Sequence, residues 1–286
     1  MNNQAVTITP KGESYLRLLN PISLFRHQIQ YRDLVIQLVK REMALRYKGS
    51  VLGMAWSLIQ PLIMLFVYTF VFSIIFKARW GVNPNESRAD FALALFAGMI
   101  TFNIFSEVVN AAPMLILHNA NYVKKVVFPL EILPLVKLLS SLMNALFSLM
   151  ALFIGFVLTH HYLPWTVLLV PLVWLPVILF SLGWGYFVSS LGVFIRDIDA
   201  SIPIITTMLF FLTPIFYPAS SVPGRFQIFC HLNPLALFVE DARRVLLWEQ
   251  MPDWKMYGIG LSVSLVIYIL GFLWFMKSKK AFVDVI

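Results

Sequence analysis

The sequence predicts an all-α integral membrane protein, and three observations lead to this fold class. Of the 286 residues, 59% are hydrophobic and only 13% are charged, whereas a soluble domain is about half apolar and a quarter charged. Long apolar runs recur along the chain, and a helix needs about 20 apolar residues to cross the hydrocarbon core of a bilayer. None of the runs shows the two-residue alternation of a barrel strand, so we expect helical crossings.

Six of the apolar runs define predicted transmembrane helices. The second run contains Glu107, the one acidic side chain deep inside a run. The fourth run is long enough to require a tilt or a kink, and the fifth is short and bracketed by Pro203 and Pro214. The predicted crossings cover residues 51–76, 91–117, 132–158, 165–194, 202–217 and 256–275.

Two segments do not fit simple crossings. Residues 31–48 form a predicted amphipathic helix with Leu34, Leu38 and Leu45 on one face, and such a helix lies in the membrane interface. The alternative is a cytoplasmic helix packed on a partner. Residues 220–254 are apolar in places but contain no run long enough to cross, so they predict a re-entrant helical hairpin entering from the periplasmic side between helices five and six.

The basic residues predict the orientation of the chain. Lysine and arginine are concentrated before the first crossing, at Lys124 and Lys125 after the second, and at Lys277, Lys279 and Lys280 in the tail. With six crossings all three clusters lie on one side, and the positive-inside rule places that side in the cytoplasm. Both termini are therefore predicted to be cytoplasmic, including an N-terminal segment formed by residues 1–30. The net charge of +8 is explained by topology and anionic headgroups, so no nucleic-acid partner is expected.

No enzyme motif is present in the sequence. It contains no phosphate-binding loop, no dinucleotide fingerprint and no nucleophile elbow. No cysteine or carboxylate lies at ligand spacing from a histidine, so no metal site is predicted, and the single cysteine, Cys230, cannot form an internal disulfide.

Charged residues near the crossings leave two interpretations open. Glu107 is either a pathway residue or, as we favour, a carboxylate bonded to a neighbouring helix. Lys137 is expected to extend to the inner membrane surface. Arg196 and Asp197, between the fourth and fifth crossings, indicate either a capped turn with a local ion pair or a site where a partner docks.

Several motifs together resemble the permease subunits of ABC-2 type exporters, and most closely the branch that exports O-antigen, capsule or teichoic acid polysaccharides. The similarity extends over nearly the whole chain after about residue 20, as one transmembrane domain. The motifs are Arg46, Tyr47, Lys48, Ser50, Leu52, Gly53, Trp56 and Pro61; Val123, Lys124, Lys125, Phe128, Pro129, Leu133 and Pro134; Arg196-Asp197-Ile198; Thr213-Pro214-Ile215-Phe216-Tyr217-Pro218; and Asn233-Pro234.

The resemblance implies a homodimer of this chain in the cell inner membrane that binds two copies of a separate ATPase subunit. ATP and magnesium would be bound by that subunit, so no cofactor is expected here, and the chain itself would be a transport subunit rather than an enzyme. The implied substrate is a polysaccharide on undecaprenyl diphosphate, with O-antigen favoured. The residues implied to couple to the ATPase are Asn119, Asn121, Tyr122, Lys124 and Lys125.

The resemblance also suggests where the lipid diphosphate and the sugar chain would pass. Arginine and lysine form charge-assisted hydrogen bonds with phosphate, although ordinary positive-inside bias explains the same residues equally well. Aromatic rings would pack on the apolar faces of sugars, although each ring could instead face lipid or another helix. The candidate gate residues are Arg41, Arg46, Tyr47 and Lys48, and the candidate channel aromatics are Trp56, Tyr68, Phe105, Phe210, Phe211, Phe216 and Tyr217.

Two alternatives remain at this stage. An ABC-2 permease for a small lipid or drug would need a narrow, dry vestibule rather than a wide channel. A membrane-embedded glycan transferase would need paired acids or a histidine at the membrane face, which Glu107 alone does not supply.

Overall fold

The computed structural model describes residues 30–46, 48–76, 80, 88–123 and 128–286, and no strand occurs in these ranges. Short 3₁₀ turns link several of the α-helices, and a π-helical segment, Thr69–Ile75, continues the second. The α-helices are α1 Arg32–Arg46, α2 Trp56–Tyr68, α3 Arg88–Leu115, α4 Ala120–Val123, α5 Ile132–His160, α6 Val170–Phe194, α7 Ile198–Leu212, α8 Gln227–Leu232, α9 Pro234–Leu246, α10 Trp254–Ser278 and α11 Phe282–Val285.

Five helical segments of the described chain are long and apolar enough to cross a membrane, so the prediction of an all-helical membrane protein is confirmed. They contain α2, α3, α5, α6 and α10, in that order, and match five of the six predicted crossings. The segments are Gly53–Phe72, Ala89–Leu115, Ile132–His160, Trp165–Phe194 and Trp254–Val285.

The predicted fifth crossing corresponds to α7, which is apolar but only 15 residues long. At 1.5 Å per residue it extends about 22 Å, less than the ~30 Å hydrocarbon core of a typical bilayer. Its predicted bounds, 202–217, were wrong at both ends because Pro203 lies inside the helix instead of before it, and the helix stops at Leu212 before Pro214. A sixth crossing through α7 stays a prediction.

Helix α3 forms the centre of the structure. Its apolar stretch is 78% buried, against 6% for the segment that contains α2, so α2 lies on the outside of the bundle. Helix α3 packs on α5, α6, α7 and α9, while α10 packs chiefly on α6. The bundle therefore surrounds α3 with helices and leaves the α2 face uncovered by the described chain.

Two glycines allow α6 and α10 to cross closely. A Cβ atom added to Gly271 would lie 2.1 Å from the carbonyl oxygen of Gly183, a distance that real Cβ atoms essentially never show. Small residues at such crossings let helix backbones approach and form the van der Waals contacts that hold membrane helices together. The α6–α10 pair is the most extensive helix contact in the described chain because of this approach.

Helix α1 packs on the start of α5. Its buried side chains are Val35 and Met43, and the first of them lies against Val136 of α5. Of the predicted apolar face, Leu34 and Leu38 pack against the same cluster, whereas Leu45 is 52% exposed. A position of α1 in the membrane interface stays a prediction.

An ion pair also joins α1 to α5. The Nζ atom of Lys137 lies 3.0 Å from the Oε1 atom of Glu42, so Lys137 pairs with α1 rather than simply extending to the membrane surface as predicted. The pair is partly exposed, and its free-energy contribution is therefore small.

The predicted re-entrant segment, 220–254, contains α8 and α9. Helix α9 is strongly amphipathic and buries its apolar face against α3, α6 and α10, whereas Ile228 and Leu232 of α8 are exposed. The helices agree with the predicted helical content. Entry of this segment into the bilayer stays a prediction.

The close crossing predicts different effects of alanine at two glycines of α10. Gly271→Ala should lower the apparent melting temperature in detergent, because the added methyl meets the Gly183 backbone and overpacking costs about 1–3 kcal/mol. Gly258→Ala is the matched control, since no atom lies within 4 Å of its Cβ position and alanine favours a helix by about 1 kcal/mol. Equal melting temperatures for the two variants would contradict the close crossing.

Candidate functional site

A contact between α1 and α4 joins two of the predicted groups of residues. The Nη1 atom of Arg41, a predicted gate residue, donates a hydrogen bond of 2.7 Å to the hydroxyl of Tyr122, a predicted coupling residue. The Tyr122 ring is stacked on Phe128, with 4.2 Å between the centroids. A force on the segment around Tyr122 would therefore reach α1 directly.

A groove of about 280 Å³ lies beside this contact, between α1, the end of α3 and the start of α5. Its lining mixes apolar side chains with charged and polar ones, namely Arg41, Glu42, His118, Asn119 and Lys137. The Asn119 amide donates to the carbonyl of Leu115 and so closes the end of α3. The groove therefore offers charged and apolar surface together where α1, α3 and α5 meet.

Not all of the predicted coupling and gate residues meet at this groove. Asn121 and Lys48 are exposed, and the groove lining includes neither of them. Tyr47, Lys124 and Lys125 lie outside the described residues. Their predicted roles stay predictions.

Glu107 on α3 binds two neighbouring segments. Its Oε2 atom accepts a 2.8 Å hydrogen bond from the Asn144 amide of α5 and lies 3.5 Å from Nη1 of Arg46, the last residue of α1. The interpretation of Glu107 as a carboxylate bonded to a neighbouring helix is confirmed. These residues line a cavity of about 220 Å³ between α2, α3 and α5, which we call the polar cavity.

Four of the predicted channel aromatics gather where α7 ends. The ring of Phe216 lies 5.0 Å from that of Phe210 and 5.9 Å from that of Phe211, measured between centroids. The hydroxyl of Tyr217 donates a 3.0 Å hydrogen bond to the carbonyl of Phe211. Phe211 is 61% exposed, so this aromatic cluster has an open face.

The other three predicted aromatics lie apart from this cluster. Trp56 is exposed at the start of α2, and Tyr68 at its end is half-buried beside the polar cavity. Phe105 is 3% exposed and packs on Phe180 at 5.4 Å. The ring of Phe105 therefore fills the core of one chain, and its role in lining a channel stays a prediction.

Arg196 and Asp197 form the exposed turn between α6 and α7. The backbone carbonyl of Asp197 accepts hydrogen bonds from both the amide and the hydroxyl of Ser201, but its side chain does not cap α7. Within the described ranges no ion pair joins Arg196 to Asp197. The predicted side-chain cap and local ion pair are thus wrong, and partner docking at these exposed charges stays a prediction.

Arg243 of α9 was not singled out from the sequence, and it is fully buried. Its guanidinium donates to the carbonyls of Ala94, Pro214 and Ile215 at 2.7–2.9 Å and lies 4.2 Å from the Trp80 ring centroid. The chain leaves helical geometry after α7, and Arg243 satisfies two carbonyls of that irregular stretch. The sequence shows only two adjacent arginines, Arg243 and Arg244, on an amphipathic helix, and this pattern does not indicate which of the two is buried.

The start of α9 also contacts the irregular stretch of backbone that follows α7. Asn233 caps α9 by accepting a hydrogen bond from the amide of Leu235, and its own amide donates to the Thr213 hydroxyl at 2.9 Å. Pro234 occupies the first helical position, where its missing N–H is not needed. The Asn-Pro motif therefore connects the end of α7 to α9.

Asp241 of α9 supports the next helix in the chain. Its carboxylate accepts a hydrogen bond from the Asp253 amide, and Asp253 in turn caps α10 at the amides of Lys255 and Met256. Burial raises the pKa of Asp241 to about 6. This carboxyl therefore changes its charge close to neutral pH.

No group of three or more histidine, cysteine or acidic residues in the described ranges could hold a metal ion. The chemistry that the described residues offer is hydrogen bonding, charge pairing and aromatic stacking. These interactions suit binding and passage of a ligand.

Comparison with known proteins identifies related sequences over most of the chain. The family described as ABC-2 type transporter matches residues 33–247. An O-antigen export system permease protein RfbA from Myxococcus xanthus is 28% identical over 248 residues, which cover 86% of this chain and 92% of the relative. An RfbA from Klebsiella pneumoniae is 24% identical over 89% of this chain and 95% of its own length. The polysialic acid transport protein KpsM of Escherichia coli is 24% identical over 84% of this chain and 92% of its own length.

The position of Arg243 predicts a large loss of stability in Arg243→Met. Methionine fills part of the space but leaves the carbonyls of Pro214 and Ile215, which lie outside any helix, without the donors that Arg243 supplies, at a cost of about 3 kcal/mol or more. Arg244→Met is the matched control, because that neighbour makes only a 3.4 Å contact with the carbonyl of Met251 and should cost under about 1 kcal/mol. Thermal unfolding in detergent measures both variants, and similar losses in the two would contradict the role given to Arg243.

Proposed function

The chain belongs to the ABC-2 type transporter family, and on that premise we propose that it is the permease subunit of an ATP-driven exporter of lipid-linked polysaccharide, with O-antigen as the favoured cargo. The observation that carries this proposal is the similarity, over 86% and 89% of this chain, to two permeases named for O-antigen export. The similarity to a polysialic acid transporter supports the same substrate class and keeps a capsule polysaccharide as an alternative, and a teichoic acid polymer is a further one.

The proposed working unit is a homodimer of this chain with two copies of a separate ATPase subunit. ATP and magnesium are bound by that subunit, in keeping with the absence of a phosphate-binding loop from this sequence. The open face of α2 is apolar, with Phe66 72% exposed, so a second copy or lipid must cover it.

The proposed topology has six crossings, with α7 as the short fifth and both termini in the cytoplasm. Helix α1 then lies at the cytoplasmic interface, and α8 and α9 dip in from the periplasm. The hydrogen bonds from Arg243 to the carbonyls of Pro214 and Ile215 support this placement, because irregular backbone at membrane depth needs donors from the protein. The tail is basic, and Lys279 pairs with Glu131 at the start of α5, consistent with one cytoplasmic layer.

The ATPase is proposed to dock at the groove beside Arg41 and at the segment that contains Asn119, Asn121, Tyr122, Lys124 and Lys125. The hydrogen bond between Arg41 and Tyr122 supports this proposal, because it connects that segment to α1. A hinge movement of the segment would then pull on α1 and on the α5 residues that α1 contacts.

The lipid diphosphate is proposed to meet the basic residues Arg41 and Arg46 of α1 and Lys48 just after it, together with Tyr47, which precedes Lys48 in the sequence. The Arg46 side chain is 42% exposed while it faces Glu107, so part of its guanidinium remains open to an anion. Arginine binds phosphate oxygens through two parallel N–H donors, which suits a diphosphate at headgroup level.

The alternatives have less support. A permease for a small lipid or drug would fit the family but not the roles in O-antigen export and polysialic acid transport for which the relatives are named. A membrane-embedded glycan transferase needs paired acids, whereas Glu107 lies against Arg46 and Asn144.

Deleting the gene in its own host tests the function. The proposal predicts loss of a surface polysaccharide and accumulation of the lipid-linked glycan inside the cell, with both reversed by the restored gene. A surface polysaccharide that is unchanged, with loss of efflux of a small lipid or drug, would contradict the proposal and favour the first alternative.

Removing the Tyr122 hydroxyl should uncouple the exporter. Tyr122→Phe keeps the stacking on Phe128 but loses the hydrogen bond to Arg41, worth about 1 kcal/mol, so export per ATP should fall roughly fivefold while ATP hydrolysis persists. Tyr257→Phe is the matched control, because its hydroxyl donates to the carbonyl of Leu172, far from the proposed docking segment. Export and ATP hydrolysis are measured together on the reconstituted complex, and an unchanged ratio in Tyr122→Phe would contradict the coupling path.

A further inference from the structure

The polar cavity differs from the apolar helices that surround it. Helices α2, α3 and α5 are hydrophobic overall, yet they turn a concentrated set of polar side chains toward this cavity of about 220 Å³. Intramembrane polar groups are costly unless they face protein or water. The polar lining residues are Arg46, Ser57, Gln60, Tyr68, Asn103, Glu107, Asn144 and Ser148.

Some of these polar groups are already satisfied within the chain. The Ser57 hydroxyl donates to the carbonyl of Met54, the Ser148 hydroxyl donates to the carbonyl of Asn144, and the Asn144 amide donates to Glu107. Arg46 and Glu107 offset each other's charge. The two opposite charges in the lining therefore offset each other, and the other polar groups of the cavity are neutral and suit a neutral polar ligand.

Two amide side chains of the cavity have no hydrogen-bond partner among the described residues. Gln60 of α2 and Asn103 of α3 are exposed, and the described residues form no hydrogen bond with either side chain. Phe66, about 1.7 turns beyond Gln60 on α2, is apolar and 72% exposed, so the amides are not part of a generally polar surface. Each amide offers two donors and one acceptor group that need partners inside a membrane.

We propose that the polar cavity is a binding subsite for one neutral, hydroxyl-rich sugar ring of the exported glycan, held by the amides of Gln60 and Asn103. This inference rests on the proposed function and adds a site to it. A sugar hydroxyl both donates and accepts, which matches an amide that does the same. The Tyr68 ring and the Met64 and Met99 side chains give the cavity an apolar wall for the C–H face of the ring.

The size and position of the cavity agree with this ligand. A volume of about 220 Å³ equals that of roughly seven water molecules at ~30 Å³ each, enough for a single ring but not for a folded chain. Arg46 lies at the cavity and at the end of α1, where the lipid diphosphate is proposed to bind. The ring held here is thus close to the lipid end of the glycan.

Cysteine labelling tests whether the cavity is wet. In a Cys230→Ser background, which removes the only native cysteine, Gln60→Cys and Asn103→Cys in the assembled exporter should react with a charged, membrane-impermeant thiol reagent about tenfold faster than Phe66→Cys. Phe66→Cys is the matched control, because it is exposed on the same helix as Gln60 but outside the cavity lining. Equally slow labelling of all three would overturn the proposal.

Photo-crosslinking then tests for the sugar. A benzophenone amino acid replaces Asn103, Phe66 or Tyr217 in cells that express the chain with its ATPase, and glycan attached to the chain is detected by periodate oxidation and hydrazide staining. The proposal predicts attached glycan at positions 103 and 217 and none at 66. In addition, Asn103→Leu should lower export roughly fivefold at unchanged chain abundance.

The outcomes separate this inference from the proposed function. Glycan attached at position 217 but not at 103, with normal export by Asn103→Leu, would overturn the subsite and leave the polysaccharide exporter intact. No attached glycan at any position, with surface polysaccharide unaffected by deletion of the gene, would overturn the proposed function and the subsite with it.

Discussion

A polar group carried into an apolar solvent must find its partner inside the protein, and the structure depends on how this chain meets that constraint. The clearest case is Arg243, whose guanidinium is fully buried and donates to three backbone carbonyls, two of them in the irregular stretch after α7. Without these donors, a non-helical stretch at membrane depth would leave its carbonyls unsatisfied at several kcal/mol each. A short helix such as α7 can end inside the bundle because α9 supplies the missing donors.

The same constraint explains how three acidic residues of α1, α3 and the start of α5 are placed. Glu107, Glu42 and Glu131 each lie against a basic residue from a different segment, so each pair connects two parts of the chain. Helix α1 is thus connected to α3 through Arg46 and to α5 through Lys137. In contrast, the amides of Gln60 and Asn103 are not used by the fold, which is what a binding site for a polar cargo requires.

Much of the fold was predictable from the sequence, because composition and the length of apolar runs report directly on crossing helices. The bounds of α7 could not be predicted from the sequence. Pro203 lies inside the helix, and the backbone just after the helix is held by hydrogen bonds from Arg243 and Asn233. The core position of Phe105 and the burial of Arg243 were also beyond prediction, because both depend on which helices pack together. The motifs indicated the family from the sequence. The hydrogen bond between Arg41 and Tyr122 and the ion pair between Arg46 and Glu107 could be found only in the structure, because each joins residues that are far apart in the sequence.

We propose that this chain forms the path by which an ATPase drives a lipid-linked polysaccharide across the membrane. Proteoliposomes that contain the chain, its ATPase partner and an undecaprenyl-diphosphate-linked glycan measure this directly, with an added glycosidase reporting which glycan is outside. The account predicts ATP-dependent exposure of the glycan to the enzyme that requires both subunits. Glycan that stays protected while ATP is hydrolysed by a folded, assembled complex would contradict it.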